Sequence, residues 1–187
     1  ATNLYMPSIM RDFPEFHYDE MKSRAENVLT SYLQSITKQN PALLSEGTRE
    51  LKEQLRLRLE MLQNQSQKES FENIHIHRTE IHQYRKQRGR QSIVLQTAVE
   101  YFHALKENGK VIRGSEEHKE QAKYNVELVY IQDQDMIENQ EDAGLGLNCP
   151  NCGAPLPGLG AKKCIYCDTP IVEYNLRVWN FSRVEEV

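Results

Sequence analysis

Four cysteines carry the clearest chemistry in this chain, and all of them fall in the stretch CPNCGAPLPGLGAKKCIYC that runs from Cys149 to Cys167. They are paired as Cys149/Cys152 and Cys164/Cys167, with eleven residues between the pairs. Each C-x2-C lets two thiolates converge on one cation, and two such turns facing each other complete a tetrahedron, the zinc-ribbon arrangement. Gly153 follows the first pair, where a tight turn needs a residue free to take positive φ. Asn151 inside that pair also tolerates turn geometry, and Asp168 stands after the second pair where such motifs usually carry glycine. Four thiolates around one Zn2+ leave no open position for water or substrate, so the expected site is structural: one Zn2+ on Cys149, Cys152, Cys164 and Cys167. Iron in an S4 site and a pair of disulfides are the alternatives.

The rest of the chain bounds what this centre can serve. A length of 187 residues, 39% hydrophobic and 27% charged, is enough for one domain, or one domain and a small module, with a real core. The net charge of -4 gives no support to a general surface for nucleic acid or anionic lipid. No apolar run reaches the length of a membrane span, and no signal peptide is visible. Because the chain opens with Ala1 and not methionine, it reads as a piece of something longer. Cysteine confined to the metal motif fits a compartment that keeps thiols reduced.

The elements that position the motif can be read in order. Residues 1–16 carry two prolines and aperiodic aromatics, and are expected as an extended arm along the helices. From Tyr18 to Lys38, Met21, Ala25, Val28, Leu29, Tyr32, Leu33 and Ile36 recur at three and four and predict a helix with one buried stripe. Asn40 before Pro41 reads as an N-cap with proline at the first position of a short turn that Gly47 ends. Thr48 then caps a second long helix to about Gln65, with Leu51, Leu55, Leu59 and Leu62 on one face, widened by Leu57 and Met61. Its charges Arg49, Glu53, Arg56 and Glu60 form a solvated face. After Ser70 the period changes to two: Ile74 and Ile76 alternate with His75 and His77, predicting a strand with one wet face. The apolar parity slips before Ile81, which places a bulge near Arg78 or Thr79. The basic run Arg85 to Arg90, with Gly89 inside it, is the hairpin turn. A long strand then runs from Gln91 to Leu105, with Ile93, Leu95, Val99 and Tyr101 on its apolar face. Asn108, Gly109 and Gly114 mark a turn region. A third strand runs from Ala122 to Gln132, with Tyr124, Val126, Leu128 and Tyr130 inward. An acidic linker from Asp133 to Asp142 leads into the cysteine motif, and Tyr174 to Val184 alternates again.

A zinc ribbon of this size needs few residues after its second pair, so the last strand must pair elsewhere. The economical solution returns it to the main sheet beside the third strand. That gives an α+β fold in which two long N-terminal helices cover the concave face of a curved antiparallel sheet, with a zinc ribbon inserted before the last strand. The expected boundaries are 17–133 plus 174–187 for the α+β domain and 145–173 for the ribbon. The order of elements, the entry segment Arg11-Asp12-Phe13-Pro14-Glu15-Phe16, the stretch Phe71-Glu72-Asn73-Ile74 and the ending Val178-Trp179-Asn180-Phe181-Ser182 resemble the Tim-44-like domain, a cystatin/nuclear transport factor 2-like cone. Bacterial proteins similar to it carry a CPNCGAPL-type ribbon before the final tryptophan strand, which matches Cys149 to Leu156. The resemblance spans about residues 8 to 187. It implies a non-enzymatic binding or scaffold module tethered to a membrane through a segment upstream of Ala1, with its domain on the cytoplasmic side. The implied partner is a protein or a membrane surface.

Two competing functions have weaker support in the residues. A cone fold can host a small ligand or an isomerase-type active site; His82, His103, Tyr101 and Glu100 are its candidates, yet Glu100 and Tyr101 point to opposite faces of one strand. Nucleic-acid binding is disfavoured, because the ribbon offers only Lys162 and Lys163 as cations beside an acidic linker. His75 and His77 share a strand face and could hold a metal, although that face is the wet one. Strict alternation in the last strand would put Leu176 and Val178 toward the helices and Trp179 and Phe181 away from them. With Val129, Ile131, Val94 and Phe102, they would make a second apolar face, a contact surface for the ribbon, a second copy or another protein.

Overall fold

The computed structural model describes residues 2–87, 89–131, 151–154, 163–170 and 179–187. Their order is helix α1 (Thr2–Asp12), helix α2 (Tyr18–Lys38), a 3-10 turn (Pro41–Leu43) and helix α3 (Arg49–Asn64). Strands β1 (Gln67–Gln87), β2 (Arg90–Glu107), β3 (Lys110–Gly114), β4 (Glu120–Ile131) and β5 (Trp179–Glu186) come after them. All pairings are antiparallel, in the order β1-β2-β4-β5, and short β3 pairs with the far end of β2. The result is an α+β fold of three helices and a curved five-stranded sheet.

The helical signals act as the residues dictate. All seven apolar positions of the α2 stripe are buried. The helix ends at Gln39, which takes the left-handed conformation at φ 55. The Asn40 side chain accepts from the Ala42 N–H ahead of the 3-10 turn, and the Thr48 hydroxyl accepts from the Leu51 N–H at the start of α3. On α3 the buried stripe is Leu51, Leu55 and Leu62, with Leu59 half-buried. Leu57 and Met61 do not widen it; they are exposed.

The N-terminal segment departs from the expected arm, because α1 is helical despite Pro7. Tyr5, Met6, Ile9 and Phe13 fall at helical spacing and pack on the core, with Ile9 completely buried, so tertiary burial outweighs the one missing backbone donor. Phe13 to Phe16 is a turn and not an extended run. Its closing bond goes from the Phe16 N–H to the Phe13 carbonyl at 3.0 Å, with Pro14 at the position that favours proline.

The sheet carries its apolar residues where the alternation puts them. Ile93, Leu95, Val99 and Tyr101 of β2 and Tyr124, Val126, Leu128 and Tyr130 of β4 are all buried in the core shared with the helices. The expected irregularity in β1 lies between Ile76 and Arg78, and two more interrupt it at Glu72/His75 and Ile81/Gln83. The turn at Asn108 and Gly109 has positive φ at both residues, 51 and 80, as a two-residue hairpin requires. It leads directly into a strand, β3, where only a turn region was expected.

β5 pairs with β4, as the surplus of residues after the cysteines demands, but the expected contact surface on it is corrected. Trp179 and Phe181 belong to the helix-side core. Trp179 makes edge contacts with Phe13 and Phe16, and Arg24 of α2 lies over the Phe181 ring at 5.4 Å. The reason is a register shift at Glu127/Leu128: Arg183 faces Glu127 while Phe181 faces Leu128, so Ser182 is an extra residue that reverses the parity. Val94 and Val129 do lie outside that helix-side cluster and are themselves buried, as are Ser92, Asn180 and Ser182; Phe102 is half-buried. The Ile131 side chain, and Tyr174, Leu176 and Val178, lie outside the described residues.

Candidate metal centre

Cysteine supplies a soft anionic donor only as the thiolate, so a metal centre needs converging sulfurs and a local reason for them to lose their protons. Cys152, Cys164 and Cys167 meet the first condition: their sulfurs all lie within 4.8 Å of one another. The Cys152 and Cys164 sulfurs are 3.8 Å apart, too far for a disulfide and close to the edge of a tetrahedron with metal–sulfur bonds of about 2.3 Å. No disulfide joins these three residues. Cys149 lies outside the described residues.

The local fold explains the convergence. Cys164 to Cys167 forms a tight knuckle in which the Asp168 N–H donates to the Cys164 carbonyl and the Cys164 N–H to the Thr169 carbonyl, both at 2.9 Å. The Tyr166 N–H points at the Cys164 sulfur at 3.4 Å. The residue after each pair is left-handed, Gly153 at φ 74 and Asp168 at φ 58. Aspartate therefore does occupy a glycine-type position, as a residue that tolerates it. An isolated bridge between Lys163 and Pro170 closes the base of the knuckle.

The second condition is met at Cys167. Side-chain and backbone hydrogen bonds from Thr169 pull its thiol down to about 6, helped by Cys152 and Asn151. Thr169 Oγ1 lies 3.0 Å from the sulfur, and Asn151 Nδ2 reaches Thr169 Oγ1 at 3.0 Å, tying the first pair to the second. Cys164 is buried, Cys167 half-buried and Cys152 exposed. This donor set is all sulfur and can hold one metal ion.

The candidates for an interior active site do not converge. His82 is exposed at the third irregularity of β1, and Glu100 lies on the outer face with its carboxylate 3.0 Å from His77 Nε2. Only His103 and Tyr101 share the core side. His103 is stacked on Phe71, with Nε2 at 2.8 Å from Glu69 and Nδ1 at 3.1 Å from Glu120. Arg58 of α3 reaches the other Glu69 oxygen at 2.5 Å, giving an alternating chain Arg58–Glu69–His103–Glu120. Burial alone would push His103 down, but the hydrogen bond and charge of Glu69, joined by Glu120, outweigh it and hold the imidazole above its ordinary value. Glu69 is likewise held low by His103 and Arg58 against its burial. Sequence reasoning missed both carboxylates. Glu69 precedes the expected start of β1 and Glu120 that of β4, and the bulges in β1 hide which residue faces His103.

No protein-family model and no curated protein matches this chain.

Proposed function

We propose that the chain is a non-enzymatic binding or scaffold module, a Tim-44-like cone whose inserted ribbon is closed by one structural zinc ion on Cys149, Cys152, Cys164 and Cys167. The observation that carries the reading is the all-sulfur donor set, with a 3.8 Å sulfur–sulfur edge that suits zinc. With Cys149 as fourth ligand, zinc is saturated and has no position for substrate. Its work is to clip the long connection between β4 and β5 and hold the last strand in register.

The core chemistry favours a non-catalytic role. Both ring nitrogens of His103 are held by carboxylates, so a protonated imidazole has no lone pair to offer as a base. Tyr101 and Tyr124 share one hydrogen bond between their hydroxyls at 2.7 Å, and burial drives the Tyr101 phenol up to about 12. These groups serve the packing of the sheet against α3.

The partner class is a protein or a membrane surface. Among the described residues, no helix is long and apolar enough to cross a membrane. The deciding experiment uses the zinc-loaded chain as bait in a lysate pull-down, beside flotation with neutral and acidic liposomes. A protein retained reproducibly without liposome binding supports the scaffold reading; flotation with acidic liposomes alone assigns a membrane surface. Silence in both, with turnover or binding of a small ligand in the core, overturns it. Metal analysis finding no zinc in protein purified under reducing conditions removes the clip.

A further inference from the structure

Two histidines and a glutamate lie together on the sheet face opposite the helices, away from the cysteine centre. His75 and His77 are two apart on β1, so both project from one face, while Ile74 and Ile76 pack on the core. The irregularity between Ile76 and Arg78 makes His77 the extra residue of the strand, and its ring stands 4.8 Å from that of His75. Across the ladder, Glu100 is the register partner of His75, yet its carboxylate oxygen lies 3.0 Å from His77 Nε2. Two donors on one ion with bonds of about 2.0–2.1 Å stand about 3 Å apart, so the hydrogen-bonded separation of His77 Nε2 and the Glu100 oxygen also matches one edge of a coordination shell. His75 is exposed, its ring beside that of His77, and its nitrogen has to move to join the other two donors.

We propose that His75, His77 and Glu100 form a surface site for one borderline divalent ion of the nickel, copper or zinc class. Two imidazoles and a carboxylate suit these ions and not calcium or magnesium, which take oxygen donors. Three protein donors leave coordination positions open. His77 also lines a shallow depression of about 380 Å³, with Gln96, Ala98, Gln121 and Lys123, that gives room for water or for a donor from a docking partner. Unlike the cysteine centre, this site is open, so its ion exchanges and can bridge to a second molecule.

The test is a calorimetric titration of tag-free, zinc-loaded chain with Ni2+ alone. The expected result is one ion per chain with micromolar affinity, weakened at least about tenfold by His75→Ala and by His77→Ala, since loss of a direct ligand costs no less than loss of an outer-shell partner. Glu100→Gln weakens it less. All three side chains are on the solvent face, and an unchanged far-ultraviolet circular dichroism spectrum verifies that each variant folds. Binding no tighter than millimolar, or equal binding by the His75→Ala/His77→Ala double variant, overturns the site; unchanged affinity in Glu100→Gln overturns its three-donor form. Zinc content measured on the same samples reports the cysteine centre separately, so failure of one does not pass for failure of the other.

Discussion

At the scale of single residues, His103 makes stability depend on pH in a definite direction. Its folded value lies above the unfolded one of about 6.5, so the stabilisation is complete below that value and is lost as pH rises through the folded one. Glu69 works oppositely. Its folded value is depressed, so its contribution is present above the ordinary carboxylate range and is lost as pH falls through the folded value. Urea unfolding across pH should therefore show a maximum between these limits, and His103→Gln should flatten the alkaline side. A variant with the wild-type alkaline slope would show that another group sets it. Asp168 gives a second prediction. Its backbone is left-handed at φ 58, which glycine adopts freely and a β-branched residue resists by roughly 1–2 kcal/mol. Asp168→Gly should keep the metal affinity of the proposed centre and Asp168→Val should weaken it, read by competition with a chromophoric chelator. The Lys163 ion pair lost in both is exposed and contributes little.

At the scale of elements, among the described residues no strand pairs with the far edge of β5, and groups from α2 and α3 bond to it. The Thr48 N–H donates to the Phe181 carbonyl at 2.9 Å, and Arg24 donates to that of Trp179 at 2.9 Å. The Gln54 amide spans Val184 from both sides, donating to its carbonyl at 2.5 Å and accepting from its N–H at 3.3 Å. An exposed edge is a template for unwanted pairing, and these contacts close it. Gln54→Ala leaves two partly buried backbone groups to find water and should cost about 1–3 kcal/mol, with faster amide exchange at Val184 and little change in α2. Thr48→Ala should cost about 1 kcal/mol through the lost cap alone, because its backbone bond to Phe181 remains. Both long helices, the Asn40 and Thr48 caps and the strand faces of β2 and β4 were legible in the residues, since local periodicity and cap chemistry determine them. The parity of β5 was not. A single extra residue, Ser182, inverts a strand without altering its composition, and its signal is the pairing with β4 and not anything in β5 itself. The α1 helix was hidden for a similar reason: Pro7 is a local veto that burial of Ile9 overrides.

At the scale of the whole molecule, the tryptophan and the cysteines both bear on one strand. Trp179 is the anchor that joins β5 to the entry turn, through Phe13, Phe16 and Tyr130, while the metal motif sits in the connection that delivers β5 to the sheet. The two devices should fail differently. Trp179→Ala removes a fully packed ring and should cost about 3–5 kcal/mol, lowering the stability of the whole domain because its cavity opens between helices and sheet. Loss of metal, by chelation or by substitution of the exposed Cys152 as Cys152→Ser, removes a constraint on a long connection and leaves the core residues in place. It should loosen β5 and the residues facing it on β4, while α2, β1 and β2 keep their protection. Hydrogen exchange resolves the two cases, since local opening appears as faster exchange confined to 179–186 and the facing part of β4, and global destabilisation appears everywhere. Uniform loss of protection on metal removal would make the ion part of the folding core and not a clip. Unchanged protection in β5 would mean that the aromatic anchor alone holds the strand and that the cysteines serve a surface beyond it.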